Sequence, residues 1–109
     1  MLDEHHFHAI ANATLMHLFD QLEQAYDDGT LEELELLDGV LTIECENGKT
    51  FVVSRHEPSR QMWLASPISG GLHFDYDHDN GCWKLSDGRI LKQLLAQELN
   101  DACGLHIVF

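Results

Sequence analysis

The sequence predicts an α+β two-layer sandwich, with two helices packed on one face of a six-stranded antiparallel meander sheet. Three observations carry that prediction. Apolar residues recur at helical spacing near each end of the 109-residue chain, apolar and polar residues alternate through the middle, and turn dipeptides punctuate the alternating stretch. The length suits a single domain over residues 1–109. Apolar residues make up 44% of the chain, enough to build a core, which argues against disorder.

Phe7, Ile10, Ala11, Leu15, Leu18, Leu22 and Ala25 recur every three or four residues and predict an amphipathic helix over residues 4–26. Asp3 and Glu4 stand at its start, where the helix dipole favours anions. Six strands follow: "LEELELL", "VLTIECE", "TFVVS", "QMWLA", "LHFDY" and "CWKL". Asp38-Gly39, Asn47-Gly48 and Asn80-Gly81 read as tight hairpin turns. Pro58 and "SPISGG" mark the remaining connections. Ser86 or Asp87 is the expected N-cap of a second helix with Ile90, Leu91, Leu94, Leu95 and Leu99 as its stripe and Gly104 as its stop. The tail "LHIVF" should pack back on the core.

Charge is the strongest functional signal. The net charge is −13, and residues 1–48 hold twelve Asp or Glu with no Lys or Arg before Lys49. Such a chain repels DNA, RNA and anionic membrane and attracts metal cations or a basic protein. Pairing across an Asp38-Gly39 turn sets Glu35 opposite Thr42 and Glu33 opposite Glu44, while Leu34, Leu36, Leu41 and Ile43 point to the core. Like charges directly opposite each other destabilise a sheet. Asp20, Glu23 and Asp27 share one polar stripe of the first helix. Together these groups predict a carboxylate ridge able to take hard or borderline cations through oxygen. A solvated face serving solubility alone is the plain alternative. Continuing strict register beyond Asn47-Gly48 would turn Phe51 and Val53 onto the acidic face, so a bulge or register shift is expected there.

Glu4 and His8, four residues apart, could chelate a transition metal on the first helical turns; His5 lies on the same side. Asp75, Asp77 and Asp79 imitate the opening of a calcium-binding EF-hand loop, but Asn80 and Ser86 occupy its glycine and glutamate positions, so a hairpin tip is expected. No GxSxG, HExxH, CxxC or glycine-rich phosphate loop occurs, and no catalytic residue or bound cofactor is assigned. Cys45, Cys82 and Cys103 cannot all pair internally and read as small core residues in a reduced, cytoplasmic setting. The N-terminus lacks the pattern of a secretory or transit signal, and no apolar run is long enough for a membrane helix. In "QMWLA", Met62 and Leu64 face the core, which leaves Gln61 and Trp63 on the open sheet face. An exposed Trp there is a good interface anchor.

The segments "DGVLTIE", "TFVVSRHEP", "RQMWLASPISGGLHFD", "CWKLSDG" and "LKQLLAQEL" resemble the frataxin family, specifically its bacterial (CyaY) branch. The likeness covers nearly the whole chain, and its Gln-x-Trp-Leu-x-Ser-Pro-x-Ser-Gly core is specific. The resemblance implies a helix–meander–helix sandwich and weak iron binding (Fe²⁺ or Fe³⁺, with other divalent cations able to substitute). It also implies a role in iron–sulfur cluster assembly through the cysteine desulfurase and the scaffold protein. Carried over by position, the ridge is Asp20, Glu23, Asp27, Asp28, Glu33, Glu35 and Glu44, and the sheet-face interaction residues are Gln61 and Trp63. Ser54-Arg55-His56 stands where the family usually has Asn-Lys-Gln, so the amides of that face are replaced. The leading expectation is an iron-binding regulator that docks its ridge on the desulfurase, a monomer that could assemble into oligomers with iron. Two competitors are a ferroxidase-like enzyme acting at the same carboxylates and an acidic mimic of DNA.

Overall fold

A computed structural model describes residues 2–109. Phe7, Ala11, Leu15, Leu18 and Leu22 form the buried face of α1 (Glu4–Asp27), as their spacing requires. Asp3 caps this helix by accepting a hydrogen bond from the His6 backbone N–H at 2.8 Å. The helix ends in a Schellman motif. The Gly29 N–H reaches the Tyr26 carbonyl and the Thr30 N–H reaches that of Ala25, with Gly29 at φ 81°. The chain is thereby handed directly to β1 (Leu31–Leu37). That junction keeps Asp27 and Asp28 beside the first strand.

The meander continues through β2 (Val40–Cys45), β3 (Thr50–His56), β4 (Gln61–Ser66), β5 (Gly70–Asp77) and β6 (Cys82–Lys84), in the spatial order β1 to β6. The predicted first register is present, with Glu33 opposite Glu44 and Glu35 opposite Thr42. Asp38 and Gly39 both take positive φ, as a type I′ turn demands. The suspected shift after β2 is also real. Glu44 pairs with Thr50 and the Cys45 N–H donates to the Lys49 carbonyl, which leaves a three-residue loop, 46–48, in place of a two-residue turn, with Gly48 at φ 90°. The odd residue returns Phe51 and Val53 to the core, where both are fully buried.

Two further assignments change. Asp77 pairs with Cys82, so the last hairpin tip is the four-residue loop 78–81. Its closing bond runs from the Gly81 N–H to the Asp77 carbonyl. No EF-hand forms. The Asp77 carboxylate accepts from Asn80, the Asp79 N–H and Lys84, while Asp75 accepts from Gln61 across the sheet. At the second helix, α2 (Leu91–Cys103), neither Ser86 nor Asp87 is the cap. Asp87 binds the N–H and Nε of Arg89 in a local turn, and Ile90 stays extended, bridged to Lys84. The Asp87 side chain is occupied by its own turn, so the helix starts four residues later.

Both helices cover the same face of the sheet around a single core. Trp83 lies edge-on to Phe7 and Tyr76, and its indole N–H donates to the Thr14 hydroxyl at 3.0 Å. Leu91, Leu94, Leu95 and Leu99 seat α2. The tail folds back as expected. Asn100 holds the Ile107 backbone N–H and carbonyl, and Leu105 is buried.

The cysteines depart from the prediction. Cys45 is buried as predicted, but it is disulfide-bonded to Cys103 at the end of α2, with Cα atoms 5.4 Å apart. Cys82 is free and half-buried on the open face beside core-facing Trp83.

The Asn80 amide, with Lys84 and the Asp79 N–H, holds the Asp77 carboxyl far below the usual range. A carboxylate so depressed stabilises the fold above its unfolded pKa of about 4, and this contribution fades as pH falls toward the folded value. Asp77→Asn should therefore lower the melting temperature at pH 7 and progressively less as the solution is acidified. Parallel melting-temperature profiles for the two proteins from pH 7 to pH 3 would reject this linkage.

Candidate metal and partner surface

The carboxylates assigned from sequence divide into two places. Asp20, Glu23 and Asp27 lie exposed along α1, away from its buried stripe, with Asp28 exposed at its C-cap. Glu33 and Glu35 are exposed on the sheet face opposite the helices, and Glu44 is half-buried beside Glu33. Strand β1 is the free edge of the sheet and lies directly under α1. Most of the acidic groups thus lie around that edge, from the outer side of the helix to the open face of the sheet, whereas Asp28 lines a depression shared with the tail residues Gly104, Leu105, His106 and Ile107.

Among the described residues, no Lys, Arg or His forms an ion pair with any of these seven carboxylates. The last turn of α1 contains no basic residue, although a helix C-terminus disfavours anions. Asp28 takes a hydrogen bond from the neutral Gln24 amide at 2.8 Å.

Glu32 joins this ridge and is absent from the sequence assignment. Strict alternation would point it into the core. A bulge between Leu31 and Glu33 instead buries Leu31 and leaves Glu32 and Glu33 both exposed. The signal was available in principle, because an unpaired carboxylate directed inward is too costly to keep.

Glu4 and His8 belong elsewhere. They line an open depression of about 540 Å³ with Asp3, His5 and Ala9. The rise of an α-helix places Glu4 roughly 24 Å along the axis from Asp20. His8 Nδ1 lies 2.9 Å from Glu57 Oε1, and the His8 ring and Arg55 hold the Glu57 carboxyl below its ordinary range. Arg55 itself turns to the helix side and donates to Asn12 Oδ1 at 2.6 Å, tying β3 to α1. Among the described residues, no three His, Cys, Asp or Glu side chains converge as metal ligands. Any cation on the ridge would sit on an open surface and keep much of its water.

The open sheet face carries the second feature. Met62 and Leu64 are buried, and Gln61 and Trp63 emerge on the other side, as predicted. Trp63 is not a bare anchor, however. It is half-buried and stacked between His56, at 3.6 Å between ring centroids, and His73, at 4.1 Å. Its Nε1–H donates to Gln61 Oε1 at 3.0 Å, and the Gln61 amide donates to Asp75 at 3.1 Å.

Fold and surface together define a small helix–sheet sandwich that carries exposed acidic charge around one edge and one aromatic site on its sheet. A family model described as a frataxin-like domain matches residues 1–105. The chain is 39% identical to the iron-sulfur cluster assembly protein CyaY of Pseudomonas syringae pv. syringae, over 99% of this chain and 96% of that one. A trimeric frataxin from Saccharomyces cerevisiae, complexed with ferrous, superposes with a TM-score of 0.75 at 35% identity, covering 88% of this chain and 87% of the other. A frataxin from Psychromonas ingrahamii matches the fold with a TM-score of 0.84 over 98% of this chain and 97% of its own, at 21% identity. This chain belongs to the frataxin family.

Proposed function

We propose that this protein, acting as one domain over residues 1–109, binds iron weakly on the β1-edge ridge and regulates iron–sulfur cluster assembly. The ridge docks on a basic patch of the cysteine desulfurase, and the face around Gln61 and Trp63 meets the scaffold protein. Family membership supports the pathway. The single observation that carries the mechanism is the uncompensated ridge, whose repulsion a cation or a cationic protein surface relieves. Asp20, Glu23, Asp27, Asp28, Glu33, Glu35 and Glu44 supply oxygen ligands to Fe²⁺ or Fe³⁺, and other divalent cations compete for them. The setting is cytoplasmic, and the resting form is a monomer that iron can assemble further.

Iron and the desulfurase then seek the same carboxylates. Desulfurase affinity should fall when Fe²⁺ is added without oxygen, and it should fall as salt rises. Affinity indifferent to both would reject this reading. The directly opposed Glu33 and Glu44 favour one competing idea, a ferroxidase-like enzyme. Catalytic turnover of Fe²⁺ that Glu33→Gln and Glu44→Gln each abolish would establish it; at most stoichiometric oxidation is expected.

A further inference from the structure

On the open face, one row of cross-strand neighbours runs Ser54, Trp63, His73 and the adjacent row runs His56, Gln61, Asp75, Lys84. Beyond them Ala65 faces Gly71, so the ring stack stands at the border of a low shelf of small residues. The planes of His56 and His73 each lie within 12° of the indole plane, one on either side. His56 is itself fixed, its Nδ1 lying 2.6 Å from the Ser59 hydroxyl. Gln61 holds the indole N–H, and Asp75 holds Gln61. Both broad faces of Trp63 are thus covered, which leaves its edge to meet a partner.

We propose that His56 and His73 are positioning residues for Trp63, clamping the indole in one orientation and making docking at this face depend on their protonation. The inference rests on the proposed role of Trp63 in partner docking. An imidazolium over an indole face gains a cation–π attraction that neutral imidazole lacks, and imidazole changes charge within the physiological range. Few other charges face the stack. Strand β4 contributes only neutral Gln61, β5 contributes Asp75, and the β3–β4 turn contributes Arg60 and Glu57, the latter engaged by His8 and Arg55. Lys84 of β6 is engaged by Asp77. Protonation therefore adds two positive charges to a face that otherwise holds Asp75, the paired Lys84 and the flanking Arg60, and it locks the indole as it does so.

The test uses the whole protein and two readouts. Indole fluorescence, with Trp63→Phe supplying the Trp83 background, should fall as pH drops from about 8 to 5.5, because stacked imidazolium quenches indole. The His56→Gln, His73→Gln double variant should lose that dependence. Its affinity for the scaffold protein should drop by about three- to tenfold at pH 6, with a smaller drop at pH 8. A double variant with the wild-type fluorescence profile and wild-type affinity would overturn the clamp. Normal scaffold binding by Trp63→Ala would instead remove the docking role, and the fluorescence profile would still report the stack.

Discussion

Replacing Glu23, Glu33, Glu35 and Glu44 together by Gln is expected to raise the melting temperature while weakening desulfurase binding. The two effects have one cause. Glu33 faces Glu44 across the β1–β2 ladder, Glu35 follows on the same face, and Glu23 is exposed on α1, which packs on β1. Like charges opposed on a sheet destabilise it, and no cationic side chain forms an ion pair with these four among the described residues. Glutamine keeps the size and hydration of each side chain and removes the repulsion. The expected rise is about 4 °C in low salt, shrinking as screening ions are added. The same four changes remove the field that steers a basic partner, so affinity should fall by about tenfold or more at low salt. The wild-type charges also keep the exposed edge of β1 from pairing with another chain, a protection the variant would lose. A variant no more stable than wild type would show that the ridge is not strained. Unaltered desulfurase affinity would show that the ridge is not the docking surface.

The main lines of this fold were legible because its periodicities are clean. Phe7 to Leu22 spell one helical stripe, and Leu34, Leu36, Leu41 and Ile43 alternate about a turn whose geometry only a few dipeptides satisfy. What escaped the sequence lies where one added residue changes everything downstream. The bulge at Glu32 and the four-residue tip 78–81 obey local backbone energetics that alternation does not encode. A register shift after Asn47-Gly48 is legible only because Phe51 would otherwise face the acidic side; its form, the three-residue loop 46–48, is not. The candidate site divides in the same way. Glu33, Glu35 and Glu44 follow from register alone. The stacking of His56 and His73 on Trp63 requires two further hairpins to close correctly, through loops 57–60 and 67–69. Glu4 and His8 share a chelating spacing with each other but lie too far along α1 to join the ridge.

Reduction of the Cys45–Cys103 bridge should lower the melting temperature by about 15–20 °C. The two residues are 58 positions apart, and a link closing so long a loop removes about 4 kcal/mol of chain freedom from the unfolded state in the entropic model. It also ties the last residue of α2 to the end of β2, where the Asn47 amide hydrogen-bonds to the Ala102 carbonyl at 2.8 Å. Cys103→Ser is the cleaner probe, because Cys103 is only half-buried and Cys45 can remain in the core as a small apolar thiol. The variant should melt near the reduced wild type, and reductant should no longer move it. Wild-type protein that melts identically with and without reductant, and whose three thiols all react once it is unfolded, would show the pair to be unjoined in solution. The consequence of the bridge reaches the ridge. Cys45 directly follows Glu44, and loop 46–48 carries another acid, Glu46. Opening the bridge loosens one end of the strand that holds the opposed carboxylates. Hydrogen exchange in loop 46–48 and at the α2 terminus should rise before exchange in the β1–β2 turn, because the link constrains the far end of that hairpin.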